Sequence, residues 1–215
     1  MKIVSTNLAK PQLIHWKGKE EMTGIYKVPT MGAIQLGKED VNSDTVVDRR
    51  YHGGVDKACY LYSADHYDFW KAQYPDLEMP YGMFGENLTV EGMDETKLIV
   101  GEVYQVGNAK VQISEPREPC YKLGVKFGDQ GILKKFIQTT YSGSYLRVLE
   151  EGEVKVGDTF ELIEPIKNGL SIADVFYLLY AKSAEPEFLR MLLADDYLPK
   201  KLREKLLKKY TVHQD

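Results

Sequence analysis

The hydrophobic pattern of this chain changes its period once, near Pro165, and that change limits the folds that the chain can adopt. Before it, short apolar runs such as residues 2–8 and 33–36 are separated by glycine and proline, which is typical of antiparallel sheet and not of βαβ units. After it, apolar residues recur at helical spacing. The pattern predicts an α+β chain, mainly β with helices: a β-barrel over residues 1–165, followed by a small three-helix domain over residues 166–215.

Turn and cap residues place one hairpin and two helices within the predicted barrel. Gly107 and Asn108 form a tight-turn pair between two β-rich runs, which predicts a hairpin. Ser63 is a helix-capping residue type and predicts a helix over residues 63–73. A second helix is predicted over residues 130–139, where four apolar side chains share one face.

Composition limits the function classes open to the chain. It has 215 residues, 43% of them hydrophobic, a formal net charge of -4 and a pI near 5.7. An acidic chain is a poor general binder of nucleic acid, which demands a basic face. Two cysteines, no signal-peptide pattern and no apolar run of about 20 residues predict a cytoplasmic protein without structural disulfides or membrane spans. The expected partner is a small molecule.

A proline-framed loop at residues 114–123 carries one of the two cysteines. Pro116 and Pro119 remove backbone donors, so strand pairing should stop here and the loop should be stiff. Cys120 lies near Arg117 and Lys122 in sequence, and neighbouring cations favour a thiolate, which is a nucleophile or a soft metal ligand. The alternative is that Cys120 is a small buried hydrophobic residue, as many free cysteines are.

A glycine-containing run at residues 48–57 combines three cations with His52 and a glycine pair before a predicted strand. Glycines allow a ligand to approach the backbone, so the loop suits an anion such as a phosphate, although its order is not that of a P-loop. The alternative is a simple turn. In a third run, at residues 82–90, Asn87 could recognise the edge of a heterocycle or could only tie down the turn.

The C-terminal segment carries helix signals and an uneven charge. Ser171 and Asp174 resemble a capping box, and Pro186 and Pro199 suit the first turns of two further helices. The last predicted helix is basic in an acidic chain: Lys200, Lys201, Arg203, Lys205, Lys208 and Lys209. That face is either a solvated surface or a docking surface for an acidic partner.

Taken together, the three loops resemble the MOSC domain family, in its YiiM-like branch, in order and spacing. The runs that carry the resemblance are Asp48-Arg-Arg-Tyr-His-Gly-Gly-Val-Asp-Lys57, Phe84-Gly-Glu-Asn-Leu-Thr-Val-Glu-Gly92 and Glu115-Pro-Arg-Glu-Pro-Cys-Tyr-Lys-Leu123. The resemblance extends over nearly the whole chain, including the C-terminal helices.

The resemblance implies a MOSC-type β-barrel that binds a molybdenum cofactor and reduces N-hydroxylated compounds, notably the base analogue 6-hydroxylaminopurine. It implies that Cys120 is the molybdenum ligand and the catalytic residue. The residues that it implies as contacts of the pterin or its phosphate are Arg49, Arg50, His52, Lys57, Asn87 and Arg117.

Electron supply follows from the same resemblance. Removing the oxygen of an N-hydroxyl group takes two electrons, and the chain has neither a Rossmann-type glycine fingerprint nor a four-cysteine cluster pattern. A separate flavin or iron-sulfur reductase is therefore the implied electron donor. Two alternatives stay open: a carrier that holds a persulfide on Cys120 or the cofactor in transit, and a barrel that has lost its cofactor. A homodimer is also left open.

Overall fold

The computed structural model describes residues 1–211, apart from the side chains of Arg50, Tyr51 and Thr211. The strands are β1 (Lys2–Ala9), β2 (Gln12–Trp16), β3 (Lys19–Thr23), β4 (Lys27–Pro29), β5 (Ile34–Leu36), β6 (Cys59–Ser63), β7 (Leu88–Glu91), β8 (Val103–Val106), β9 (Ala109–Pro116), β10 (Ser144–Glu150), β11 (Gly152–Val154) and β12 (Glu161–Glu164). The α-helices are α1 (Arg49–His52), α2 (Tyr67–Gln73), α3 (Tyr121–Phe127), α4 (Gly131–Ile137), α5 (Ile172–Tyr180), α6 (Pro186–Ala194) and α7 (Lys200–Thr211).

Eight strands form the main sheet, in the order β12-β8-β9-β10-β6-β7-β1-β4. Its neighbours are antiparallel, except that β6 and β7 run parallel with Leu61 opposite Leu88. The pairs β5 with β11 and β2 with β3 are separate two-stranded ladders. The α+β class predicted from the sequence is confirmed.

The main sheet rolls so that the segment before β12 meets the start of β1. Ile3 exchanges backbone hydrogen bonds with Gly157 and Asp158, each 2.9 Å long, and Phe160 N donates to Met1 O over the same distance. Within residues 1–211 this contact is a short bridge and not a continuous strand ladder. The predicted barrel is therefore a rolled sheet joined at this point, and a closed strand ladder is not formed.

An aromatic core fills the space behind β6. Tyr62, Trp70 and Phe84 are fully buried, and the Tyr62 and Phe84 rings stack with centroids 4.3 Å apart. Trp70 Nε1 donates a hydrogen bond of 2.7 Å to the Tyr62 hydroxyl, so the polar atoms of this core are paired. Burial of each such ring contributes about 1.5–3 kcal/mol to folding. This core therefore holds β6 rigidly in place.

The two helices predicted within the barrel are present with shifted bounds. The Ser63 hydroxyl accepts from Asp65 N at 3.3 Å, but the first turn is a 3-10 helix and α2 begins only at Tyr67. The Asp129 carboxylate accepts from Gly131 N at 2.7 Å, at the start of α4. Helix α3 is not predicted by the hydrophobic pattern, because its first residue lies inside the proline-framed loop.

The three C-terminal helices form as predicted and pack directly on the sheet. Ser171 and Asp174 make the capping box of α5 in both directions, with hydrogen bonds of 3.1 and 2.9 Å. Ile172 N donates to Leu98 O at 2.9 Å, and Phe176 contacts the ring of Phe136. This core is continuous with that of the rolled sheet, and the domain boundary at 165/166 stays a prediction.

The β2–β3 hairpin is absent from the sequence-based prediction and lies close to the site. Its two-residue turn uses Lys17 and Gly18, both with positive φ (49° and 74°), as the tight turns that suit twisted strands require. Trp16, at the end of β2, stacks on Tyr121 with ring centroids 5.4 Å apart. The hairpin is thereby fixed beside the start of α3.

Among residues 1–211, none of the helices is both long enough and apolar enough to cross a bilayer.

Candidate functional site

A cavity lies where β3, β4, β6 and β9 begin or end. The segments that line it fall at residues 23–27, 44–48, 52–60, 85–87 and 117–122, and Tyr145 of β10 also contributes. Cys120, His52, Lys57, Asn87 and Arg117 all line it. The three loops singled out in the sequence therefore meet at one place.

Cys120 is positioned by the end of one strand and the start of one helix. Strand β9 ends at Pro116, and Cys120 has an extended backbone (φ -120°, ψ 163°) immediately before α3. Its side chain is partly buried, whereas Cys59 of β6 is fully buried. Burial raises the pKa of the Cys59 thiol well above its ordinary value. Of the two cysteines, Cys120 is therefore the one whose side chain opens on the cavity.

Arg117 is a buried cation with an unused donor. Its side chain is only 4% exposed, its guanidinium lies 5.3 Å from the centre of the Tyr60 ring, and its Nη1 has no hydrogen-bond partner. Burial alone would lower the pKa of Arg117, but the nearby Tyr60 and Tyr145 phenols and the Cys120 thiol raise it overall. A buried charged group with an unpaired N–H is costly, so this nitrogen indicates an acceptor supplied by a ligand.

Lys57 forms a second cationic wall of the cavity. Its Nζ lies 3.3 Å from Oε1 of the buried Glu115 and 5.3 Å from the centre of the Tyr145 ring. Burial raises the pKa of Glu115, and the charge of Lys57 partly opposes that rise. Burial also raises the pKa of Tyr145 to about 12, so this phenol keeps its proton at neutral pH.

His52 lies in the cavity as a neutral imidazole. Burial lowers its pKa, the charges of Arg117 and Lys57 lower it further, and the resulting pKa is about 4. An uncharged imidazole can accept a hydrogen bond or coordinate a metal at neutral pH, which an imidazolium cannot do.

Asn87 lines the cavity but is heavily engaged with the protein. Its Oδ1 accepts from Tyr60 N at 3.2 Å, and its Nδ2 donates to Asp44 Oδ2 at 2.8 Å and to Asn7 O at 3.4 Å. These bonds support the structural alternative for Asn87. They leave little capacity for reading a heterocycle.

A buried ion pair in the cavity wall has no counterpart in the sequence prediction. Lys27 Nζ contacts Asp44 Oδ2, with the side chains 7% and 2% exposed. The second oxygen of Asp44 accepts from Ala9 N at 2.8 Å. Each residue looks ordinary in the sequence, and no local pattern signals that the two residues pair.

The two arginines of the glycine-containing run do not both reach this cavity. Arg49 is not among the residues that line it, and its guanidinium instead pairs with Asp40 and with Glu39, the latter at 2.9 Å. The side chain of Arg50 lies outside the described part of the chain. The roles implied for both residues remain predictions.

The rolled sheet, the cysteine in its proline-framed loop and the cationic cavity together define the class of protein to which this chain belongs. The MOSC domain profile matches residues 48–161, more than half of the chain, so the chain belongs to the MOSC domain family. MOSC domains in general bind a molybdenum cofactor.

The relatives place the chain in the YiiM-like branch of that family. The crystal structure of YiiM from Geobacillus stearothermophilus superposes with a TM-score of 0.80 at 31% identity, covering 97% of this chain and 98% of that chain. The uncharacterized protein YflK of Bacillus subtilis is 38% identical over 96% of this chain and 93% of its own length. A protein of Gibberella moniliformis named "Reductase" is 32% identical over 77% of this chain, which corresponds to 30% of that protein.

Proposed function

We propose that this protein is a molybdenum-cofactor-dependent reductase of N-hydroxylated compounds such as 6-hydroxylaminopurine, with Cys120 as the protein ligand of the metal. The observation that carries the proposal is the buried Arg117, whose Nη1 lacks a partner in the same cavity as the partly buried Cys120 thiol. A soft thiolate beside an unsatisfied cationic donor suits a thiolate-bound metal carried by an anionic organic group.

The other side chains of the cavity fit the same group. Lys57 and Lys122 add positive charge for a phosphate, and His52 is uncharged, so it can accept a hydrogen bond from a heterocycle without adding a further cation. Arg117 would hold the anion beside the Cys120 sulfur. These residues would hold the cofactor between β6 and the loop that precedes α3.

The overall reaction converts R–NHOH, two electrons and two protons to R–NH2 and water. When bound, the molybdenum cofactor supplies the two-electron chemistry that removes the oxygen. The chain binds the substrate beside Cys120 and supplies protons from groups that line the cavity, of which the ammonium groups of Lys57 and Lys122 are the candidates. Buried Glu115 contacts the Lys57 ammonium group and fixes its position in the cavity.

A separate flavin or iron-sulfur reductase would supply the electrons. Lys200, Lys201 and Lys208 of α7 are exposed in an acidic protein, which gives an acidic donor a surface to approach. The Gibberella relative that carries the name "Reductase" is consistent with redox chemistry in this family.

The test is turnover by protein that has been loaded with molybdenum cofactor. With dithionite-reduced viologen as a small donor, the loaded protein should convert 6-hydroxylaminopurine to adenine, which is followed by chromatography. Loaded protein that gives no adenine would favour the carrier alternative and would refute the reductase proposal.

A further inference from the structure

One nitrogen of Arg117 is closed off from both the protein and the solvent. Its Nη1 is buried and has no hydrogen-bond partner, although the side chain lines the cavity around Cys120. A buried charged donor without a partner is costly, so the site favours a state in which a ligand acceptor has entered. Such an acceptor cannot contact a buried nitrogen while the walls stay in place. Part of the wall therefore has to move.

Most walls of the cavity are held by regular structure or by several hydrogen bonds. Residues 52–60 run from α1 through a 3-10 turn into β6, and residues 117–122 run from the proline-framed loop into α3. Ile25 O accepts from Lys126 Nζ at 3.0 Å, and Asn87 makes the hydrogen bonds described above. These walls are firmly attached to the fold.

Residues 44–48 form a different kind of wall, which we call the front wall. They belong to the connection between β5 and α1 and contain no helix or strand. In the part of the chain that the structure describes, the backbone of residues 45–47 makes no hydrogen bond. The side chain of Val47 is 44% exposed. A segment with so few backbone hydrogen bonds and so much open surface opens at low free-energy cost.

One carboxylate latches the front wall to the rolled sheet. The Asp44 side chain is 2% exposed. Its Oδ1 accepts from Ala9 N at 2.8 Å, and its Oδ2 accepts from Asn87 Nδ2 at 2.8 Å and from Lys27 Nζ. These donors lie at the end of β1, just before β7 and at the start of β4, so all three belong to the main sheet. Release of Asp44 therefore frees this end of the front wall from the sheet.

We propose that the front wall is a gate, latched by Asp44, that opens to admit the anionic organic group bound by Arg117 and Cys120. This inference rests on the proposed function only for the identity of that group, and it adds the route by which the group enters.

Two substitutions should open the gate by different means. Asp44→Asn removes the charged partner of Lys27 and so weakens the latch. Gly24→Ala acts on the closed wall directly, because a Cβ atom added at Gly24 would lie 1.9 Å from Thr45 O. That contact is too short to persist, so the front wall has to shift outward.

The experiment measures alkylation of Cys120 in cofactor-free protein by a small and a large maleimide, N-ethylmaleimide and N-pyrenylmaleimide. Cys120 is partly exposed in the closed state, so the ratio of the large-reagent rate to the small-reagent rate reports opening. That ratio should rise about tenfold in Asp44→Asn and in Gly24→Ala. Asp40→Asn is the matched control, since Asp40 lies in the same connection, pairs with Arg49 and does not line the cavity. Its ratio should stay within about twofold of the wild type.

Cys59 separates opening of the gate from unfolding of the whole protein. It is 1% exposed, so mass spectrometry should find it unmodified wherever the protein stays folded. Wild-type ratios in both Asp44→Asn and Gly24→Ala, with Cys59 unmodified, would overturn this inference. Where a variant unfolds, as modification of Cys59 would show, hydrogen exchange of the wild type decides.

Hydrogen exchange tests the latch without any substitution. Ala9 N donates to Asp44, whereas Asn7 N, on the same strand, donates to Asn87 O at 2.7 Å. The Ala9 amide should therefore be protected about tenfold less than the Asn7 amide. Equal protection of the two amides would contradict the latch. Neither measurement involves turnover, so loss of the gate leaves the proposed function intact, and loaded protein that gives no adenine refutes that function and not the gate.

Discussion

The two cysteines of this chain differ in burial, and that difference sets different expectations for their removal. Cys120 lines the cavity, whereas Cys59 is 1% exposed within β6. Cys120→Ala should abolish N-hydroxylamine reduction with little change in stability. Cys59→Ala should cost about 1 kcal/mol of folding free energy, from lost buried volume, and retain activity.

Activity assays with urea unfolding, together with molybdenum analysis of each variant, check this pair. Wild-type activity and full molybdenum loading in Cys120→Ala would contradict the assignment of the metal ligand. Cys59→Ala is the internal control, because it also replaces a cysteine by alanine but does so at a buried strand position outside the cavity.

His52 should make the stability of the cofactor-free protein depend on pH. Its pKa is about 4 in the folded chain and about 6.5 in an unfolded one. Between these values the unfolded state binds a proton that the folded state does not, so stability falls as the pH is lowered through this window. From pH 7 to pH 5, the wild type should lose up to about 2 kcal/mol more than His52→Gln does.

Urea unfolding at the two pH values measures this difference. His15→Gln is the matched control, since His15 is exposed on the β2–β3 hairpin and does not line the cavity. Identical pH dependence in His52→Gln and wild type would show that His52 is not held neutral by burial.

At the level of elements, α7 shows that a basic helix is not only a charged surface. Lys209 Nζ donates to Leu178 O and Leu179 O near the end of α5, both at 2.9 Å, and Lys205 pairs with Glu118 beside the cysteine loop at 2.8 Å. Arg203 donates to Leu193 O near the end of α6. These contacts tie the three C-terminal helices to each other and to the site. Neither interpretation of the charge pattern, a solvated surface or a docking surface, predicted these contacts.

Lys209→Met should therefore destabilise the protein by about 1.5 kcal/mol, since two carbonyls at the end of α5 lose a charged donor while the aliphatic part of the side chain is kept. The neighbouring Lys208 is exposed, so Lys208→Met should change stability by no more than about 0.5 kcal/mol. Thermal and urea unfolding of the two variants make the comparison, and equal stabilities would contradict the capping role.

Local sequence signals predicted the elements whose ends are set by a capping box, a tight turn or a proline. The capping box of Ser171 and Asp174, the turn at Gly107 and Asn108 and the end of β9 at Pro116 all follow from side chains that act within a few residues. The β2–β3 hairpin and α3 were not predicted, because the contact that stabilises them joins two distant parts of the sequence. Trp16, at the end of β2, stacks on Tyr121, at the start of α3.

For the whole molecule, the meeting of three loops was predictable and the details of their charge were not. The resemblance brought Cys120, Arg117, His52 and Lys57 to one site, and the structure places them around one cavity. It could not show that Arg49 pairs with Glu39 and Asp40 on the surface, since that depends on where a distant loop lies. The buried pair of Lys27 and Asp44 is also long-range, and no local pattern encodes it.

The central claim is that the cavity around Cys120 and Arg117 holds a molybdenum cofactor. Its most direct test is the molybdenum and pterin content of protein purified gently from cells that make the cofactor, with a second molybdoenzyme from the same cells as a loading control. The account predicts molybdenum and pterin in equal amounts, close to one of each per chain, and a large loss of both in Arg117→Met. Protein that lacks both, from cells in which the control enzyme is fully loaded, would contradict the account.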